Sequence, residues 1–194
     1  DNRRSGNAQK DAMLAGGRIH RKIQKRMGSG YRAEVPLKHE VQDEEQEITL
    51  LVEGRADGIF TENGIPVIDE IKGMYTDISR LEEPIEVHLA QAMCYGYFYC
   101  CDKDLDGIRL QMTYCNLETE EIKRFQTDRS REELETWFSG VVHEYFKWAR
   151  YLYHHELTRD ASIGHLEFPF PYRAGQRDLV VSVYRTVSRK KRLF

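Results

Sequence analysis

The order of periodic segments along the chain predicts a mixed α/β domain: a helix, three β-rich runs, a second helix, a strand pair and a long third helix. Two local signals anchor that assignment. Asn63-Gly64 sits between two β-rich runs, the strongest short hairpin signal available. Ser130 and Glu133 have the spacing of a capping box at the head of a long amphipathic stretch.

The polar residues 1–10 predict a frayed end. Met13, Ile19, Ile23 and Met27 recur at helical spacing and predict a helix over 12–27, ended by Gly28-Ser29-Gly30. Residues 31–37 read as a strand and the acidic stretch 43–47 as an exposed loop or strand end. The hairpin follows, with strands over 48–60 and 65–72. Pro84 stands where a helix over 85–100 can begin. Strands are predicted at 108–115 and 122–125, turning near residues 117–120. The last helix is expected to reach about His155, with Leu134, Phe138, Val141, Val142, Tyr145, Trp148, Ala149 and Leu152 as its buried stripe.

At 194 residues the chain suits one domain, or one domain plus a short appendage. No apolar run approaches the roughly 18 residues a membrane helix needs, and no signal-peptide pattern opens the chain, so a cytoplasmic, non-membrane protein is expected. The net charge of −3 does not advertise a nucleic-acid binder. Basic residues nevertheless cluster at Arg18, Arg21, Lys22, Lys25 and Arg26, and again at Arg185, Arg189, Lys190, Lys191 and Arg192. Each cluster reads either as a solvated face or as a local site for phosphate. Cys94, Cys100, Cys101 and Cys115 form no CxxC pair and read as reduced thiols in a core.

The hairpin carries the chemistry. A two-residue Asn63-Gly64 turn sets Glu62 opposite Ile65 and therefore Asp57 opposite Glu70, with Cβ atoms about 4.5–5.5 Å apart. Strand alternation adds Lys72 to the same face. Paired carboxylates repel one another and raise each other's pKa unless a cation lies between them. Oxygen ligands select a hard ion, Mg²⁺ or Mn²⁺, which polarises phosphate and activates water. Lys72 is a compact charge suited to positioning that water or stabilising the phosphorane. The alternative is a solvated face whose charges form salt bridges. Gly54, Gly58 and Gly73 favour the functional reading, since glycine permits close backbone approach by a ligand.

At these residues the chain resembles the PD-(D/E)xK nuclease superfamily, in its RecB-type branch of AddB-like and CRISPR-associated exonucleases. The resemblance covers about residues 12–125, in four ordered blocks: Gly17-Arg18-Ile19-His20, Gly54-Arg55-Ala56-Asp57-Gly58, Asp69-Glu70-Ile71-Lys72-Gly73 and Gln91-Ala92-Met93-Cys94-Tyr95. It implies a restriction-endonuclease-like mixed central sheet flanked by helices. It further implies catalytic Asp57, Glu70 and Lys72, and metal ligands His20, Asp57, Glu70 and the Ile71 carbonyl. Gln91 and Tyr95 match a motif of this branch and share a helix face with His88. That face can bind phosphate and stack on a base, or it can be a core helix with two buried polar tips. Glu34 is a candidate for indirect support. The iron–sulfur cluster of several relatives is not expected, since no cysteine precedes Cys94 or follows Cys115.

Residues 168–194 are similar to the segment upstream of the phosphate-binding loop in DinG/XPD-type helicases. By that likeness Arg173 and Gln176, or the neighbouring Arg177, are nucleotide-proximal; the alternative is a basic helix packed on the nuclease. No G-x-x-x-x-G-K-[ST] occurs, so no ATPase activity is expected of this chain. The expectation is a nuclease domain over 1–165 and a segment leading into a helicase over 166–194. Its partners would be single-stranded DNA and a motor in the same full-length chain. The alternative function is a catalytically idle module that feeds DNA to that motor.

Overall fold

The computed structural model describes residues 2–43, 48–167, 169–190 and 192, with side chains from Leu14 onward. It divides into two compact units, Asp1–Arg150 and Tyr151–Phe194. The first is built on a five-stranded mixed sheet of order β1-β2-β3-β4-β5. The strands are β1 (Arg32–Asp43), β2 (Ile48–Glu62), β3 (Ile65–Met74), β4 (Gly107–Asn116) and β5 (Ile122–Ser130). Only the β3–β4 pair among these is parallel. Helices α1 (Asn2–Arg26) and α2 (Glu86–Lys103) contact β3. This is the mixed sheet flanked by helices that the sequence predicts, consistent with a restriction-endonuclease-like fold.

Parallel strands cannot be joined by a tight turn, so the chain must cross over between β3 and β4. α2 is that crossover, and its position over the sheet follows from it. It begins after Ile85 and ends where Asp104 takes a left-handed conformation, φ 50°. Alternation then divides β3. Ile68 joins the main core with Tyr95, Tyr97 and Phe98 of α2, while Ile71 packs on Ile19 and Ile23 of α1. Residues 68, 70 and 72 thus share the α2 side, and 69 and 71 the other.

The hairpin forms as expected. Asn63 and Gly64 both have positive φ, 52° and 84°, the type I′ geometry that matches strand twist. The ladder runs from Glu62↔Ile65 to Gly58↔Asp69. The capping box is complete: the Ser130 N–H donates to Glu133 at 2.8 Å, and the Glu133 N–H to Ser130 Oγ at 3.1 Å.

Three expectations are corrected. Helix α1 begins at Asn2 rather than Ala12, because a polar stretch without proline can continue a helix that its own length stabilises. β1 runs to Asp43, which is buried in a bidentate ion pair with Arg150 (2.6 and 2.9 Å) instead of lying exposed; residues 44–47 lie outside the described residues. α3 (Arg131–Gly164) buries Leu134, Phe138, Val142 and Phe146, with Ala149 partly covered. Val141, Tyr145, Trp148 and Leu152 are exposed. The helix is apolar on more than one face, and periodicity cannot say which face meets the sheet.

The unit 151–194 contains the end of α3 and α4 (Gln176–Ser188), which has no buried residue. The Arg173 N–H donates to Gln176 Oε1 and the Gln176 N–H to the Arg173 carbonyl, each at 3.0 Å, closing the turn that starts α4. No described helix is long and apolar enough to cross a membrane.

Candidate active site

Four elements deliver the site. His20 comes from α1, Asp57 from β2, Glu70 and Lys72 from β3, and Gln91 from α2. The β2–β3 ladder stops at Gly58↔Asp69, one step short of pairing Asp57 with Glu70. There the Asp57 carboxylate replaces a strand carbonyl: its Oδ2 accepts the Ile71 N–H at 2.8 Å. The expected face-to-face pair is therefore corrected to a carboxylate that ends the ladder. On the other side of β2 the ladder also skips this position, opposite Glu34, whose φ is +56°. A left-handed glutamate costs about 1 kcal/mol and survives because Gln24 and Arg55 hold its carboxylate at 3.2 and 3.3 Å.

The other Asp57 oxygen lies 3.1 Å from His20 Nδ1. Burial alone would lower the His20 pKa, but the Asp57 hydrogen bond and the charges of Asp57 and Glu70 outweigh it and hold it above its ordinary value. Gln24, one turn after His20, donates to the Asp57 carbonyl at 2.9 Å. Helical spacing from His20 was the available signal for this residue.

Glu70 is 2 % exposed. Lys72 Nζ donates to its Oε1 at 2.8 Å and to Gln91 Oε1 at 2.8 Å. Glu70 Oε2 is buried without a partner among the described residues. Burial first, and Asp57 second, push its pKa up to about 7 despite Lys72. Gln91 in turn donates to the Tyr95 hydroxyl at 3.1 Å, which also accepts the Arg55 N–H at 3.2 Å. Tyr95 is 8 % exposed, so it anchors Gln91 and β2 and offers no face to a base. His88 is half-buried, tilted on Tyr114, with Nδ1 unpartnered; burial and Lys72 lower its pKa.

The glycines serve the fold. The Tyr95 hydroxyl is where a Cβ at Gly54 would be, Tyr31 covers Gly58, and Leu117 covers Gly73. Close approach is real at each, but the approaching group is the chain's own side chain, which corrects the expectation of a ligand there.

Sequence reasoning missed a second polar cluster on the opposite side of β3. Asp69 is fully buried and accepts from Tyr31 (2.9 Å), Gln111 (3.0 Å) and Thr113 (2.6 Å). Its signal is weak in sequence, because the partners come from the loop before β1 and from β4.

Arg173, Gln176 and Arg177 belong to the second unit. All four cysteines are free, two buried and two half-buried.

Among the described residues no three of His, Cys, Asp and Glu form a ready metal-holding group. The donor chemistry nonetheless suits a hard divalent ion. Two carboxylates lie close enough for the charge of Asp57 to raise the Glu70 pKa, and one buried carboxylate oxygen has no partner. For His20 and Asp57 to ligate together, their mutual hydrogen bond has to open.

No family model matches this chain, and none of the curated proteins matches it. Among solved structures, the chain is similar to the crystal structure of SSO0001, at 20% identity and a TM-score of 0.47, over 59% of this chain and 50% of that one. The chain thus spans half the length of that structure's chain.

Proposed function

We propose that the chain is a metal-dependent DNA nuclease, acting as a single-strand exonuclease within an ATP-dependent helicase–nuclease of DNA repair or processing in the cytoplasm. The observation that carries this is the buried Glu70 carboxylate, with Lys72 on one oxygen and nothing on the other, next to the His20–Asp57 pair. Structural ion pairs in a core are normally completed by hydrogen bonds on both oxygens. An incomplete one at a site opened by a broken ladder favours a site kept for a ligand.

His20, Asp57, Glu70 and the Ile71 carbonyl would hold Mg²⁺ or Mn²⁺, which supplies Lewis acidity toward phosphate and lowers the pKa of water. The chain's own residues do the rest. Lys72, oriented by Gln91, presents a fixed positive charge where negative charge develops on phosphorus. Tyr95 keeps Gln91 in place, tying α2 to β2. His88, whose pKa burial and Lys72 lower, and Gln91 are suited to hydrogen-bond the strand. Arg173, Gln176 and Arg177 are assigned to the approach of nucleotide in a DinG/XPD-type motor of the full-length protein.

Labelled single-stranded DNA incubated with Mn²⁺ should be degraded by the chain, and EDTA should stop it. Lys72→Ala should slow the reaction by a factor on the order of 10²–10³. The second reading, an idle DNA-binding module, is favoured by the closed His20–Asp57 and Glu70–Lys72 pairs. It gains if DNA binds while no metal-dependent, Lys72-dependent degradation is seen.

A further inference from the structure

α1 is divided along its length into three faces, as about 100° per residue dictates. Ile19 and Ile23 are buried on β3. His20 and Gln24 reach Asp57. The remaining side carries Arg18, Arg21, Lys22, Lys25 and Arg26, all exposed. Lys22 pairs with Glu120. Arg18, Arg21 and Lys25 make no ion pair with any described residue, in a chain whose net charge is −3. From Arg18 to Lys25 the stripe is about 10 Å long, and Arg124 of β5, exposed and 4.0 Å from Met27 Sδ, prolongs the basic surface past the end of α1.

Concentrated unpaired cations on a chain of the opposite net sign raise the local potential and attract a polyanion. Their place on the helix that also delivers His20 sets that potential beside the carboxylates. We infer that the outer face of α1 binds the phosphodiester backbone of single-stranded DNA and leads the strand toward the His20–Asp57–Glu70 site. The destination of the strand rests on the nuclease reading; the binding does not. A backbone track reads charge and spacing, and so is indifferent to sequence.

Binding of labelled oligothymidylate to the full chain, in EDTA and over a range of salt, tests this. Each phosphate contact on a single strand contributes about 0.7 to the slope of log K against log salt. Arg21→Gln/Lys25→Gln should therefore flatten the slope by about 1.4, while Arg80→Gln/Lys147→Gln, which removes equal charge elsewhere, should leave it unchanged. Equal slopes in all three proteins, or equal flattening in both variants, would overturn the inference. So would polyglutamate binding more tightly than DNA with the same dependence on Arg21 and Lys25, which would make the face a dock for acidic protein. EDTA also separates the two readings. A flattened slope in a chain that degrades nothing retains this face and ends the nuclease reading, and an unchanged slope in an active nuclease does the reverse.

Discussion

Asp69 and Glu70 are neighbours on β3, both carboxylic acids, both essentially buried, and they have opposite surroundings. Asp69 meets three donors, one from the loop before β1 and two from β4, so burial pushes its pKa up while Thr113, Gln111 and Tyr31 push back. Glu70 meets one ammonium and leaves an oxygen orphaned, and its pKa climbs to about 7. The side of β3 decides which fate a carboxylate has. One side knits β3 to β4 and to the loop before β1; the other keeps an unsatisfied charge ready for something positive. A satisfied buried acid reads as a structural part, and an unsatisfied one marks a candidate site.

The comparison breaks most severely at Asp69. Asp69→Ala strands three donors in a closed interior, and urea unfolding should show a loss of about 4 kcal/mol. Glu70→Gln should behave in the contrary way. In the unfolded chain Glu70 titrates near 4.5 and in the folded chain near 7, so between those values the folded state binds more protons. The metal-free chain is then most stable in acid on this account and loses stability as pH rises through about 7. His20 has the same sign: its raised pKa contributes stability below 6.5 that is lost as pH climbs through its folded value. Replacing Glu70 by glutamine should flatten the pH dependence by an amount on the order of 3 kcal/mol, read from urea midpoints at about pH 5 and about pH 8. Mn²⁺ at about 100 times its Kd should then stabilise the original chain by about 2.7 kcal/mol and leave the glutamine variant unmoved. A glutamine variant that keeps the full pH slope would show that Glu70 is not the group responsible.

The smallest effect sharpens the contrast. Tyr31→Phe removes one of the three donors to Asp69 while keeping the ring that covers Gly58 and stacks on Phe60 at 5.8 Å. It should cost about 1 kcal/mol and leave the pH dependence set by Glu70 intact. A changed pH profile in this variant would mean that the two sides of β3 are not independent.

What was legible in the sequence follows from the range of the forces involved. The Asn63-Gly64 turn, the capping box at Ser130 and Glu133, and the end of α1 at Gly28 are local chemistry, and each is found as read. The gathering of His20, Asp57, Glu70, Lys72 and Gln91 was legible because four short blocks could be placed on a hairpin and two helices. Their partners were not. That Tyr95 is an anchor instead of a stacking platform depends on Gly54 lying beneath it, a pairing set by the docking of α2. The same holds for Tyr31 over Gly58, which no spacing relates. The misread stripe of α3 has the same root. Val141 and Val142 are equally apolar, and only the sheet beneath the helix chooses between them.

The single parallel pairing in this sheet governs how the molecule reaches its final form. The β2–β3 ladder zips outward from the Asn63-Gly64 turn, and β1 pairs with the strand that follows it in sequence. Glu70 finds Met112 only after about forty intervening residues have been gathered in, and such long-range closures are the slow ones. Gln91 rides on that intervening stretch. The hairpin bearing both carboxylates can thus form well before the ammonium of Lys72 acquires its guide, so the Lys72–Gln91 contact is completed among the last steps of folding.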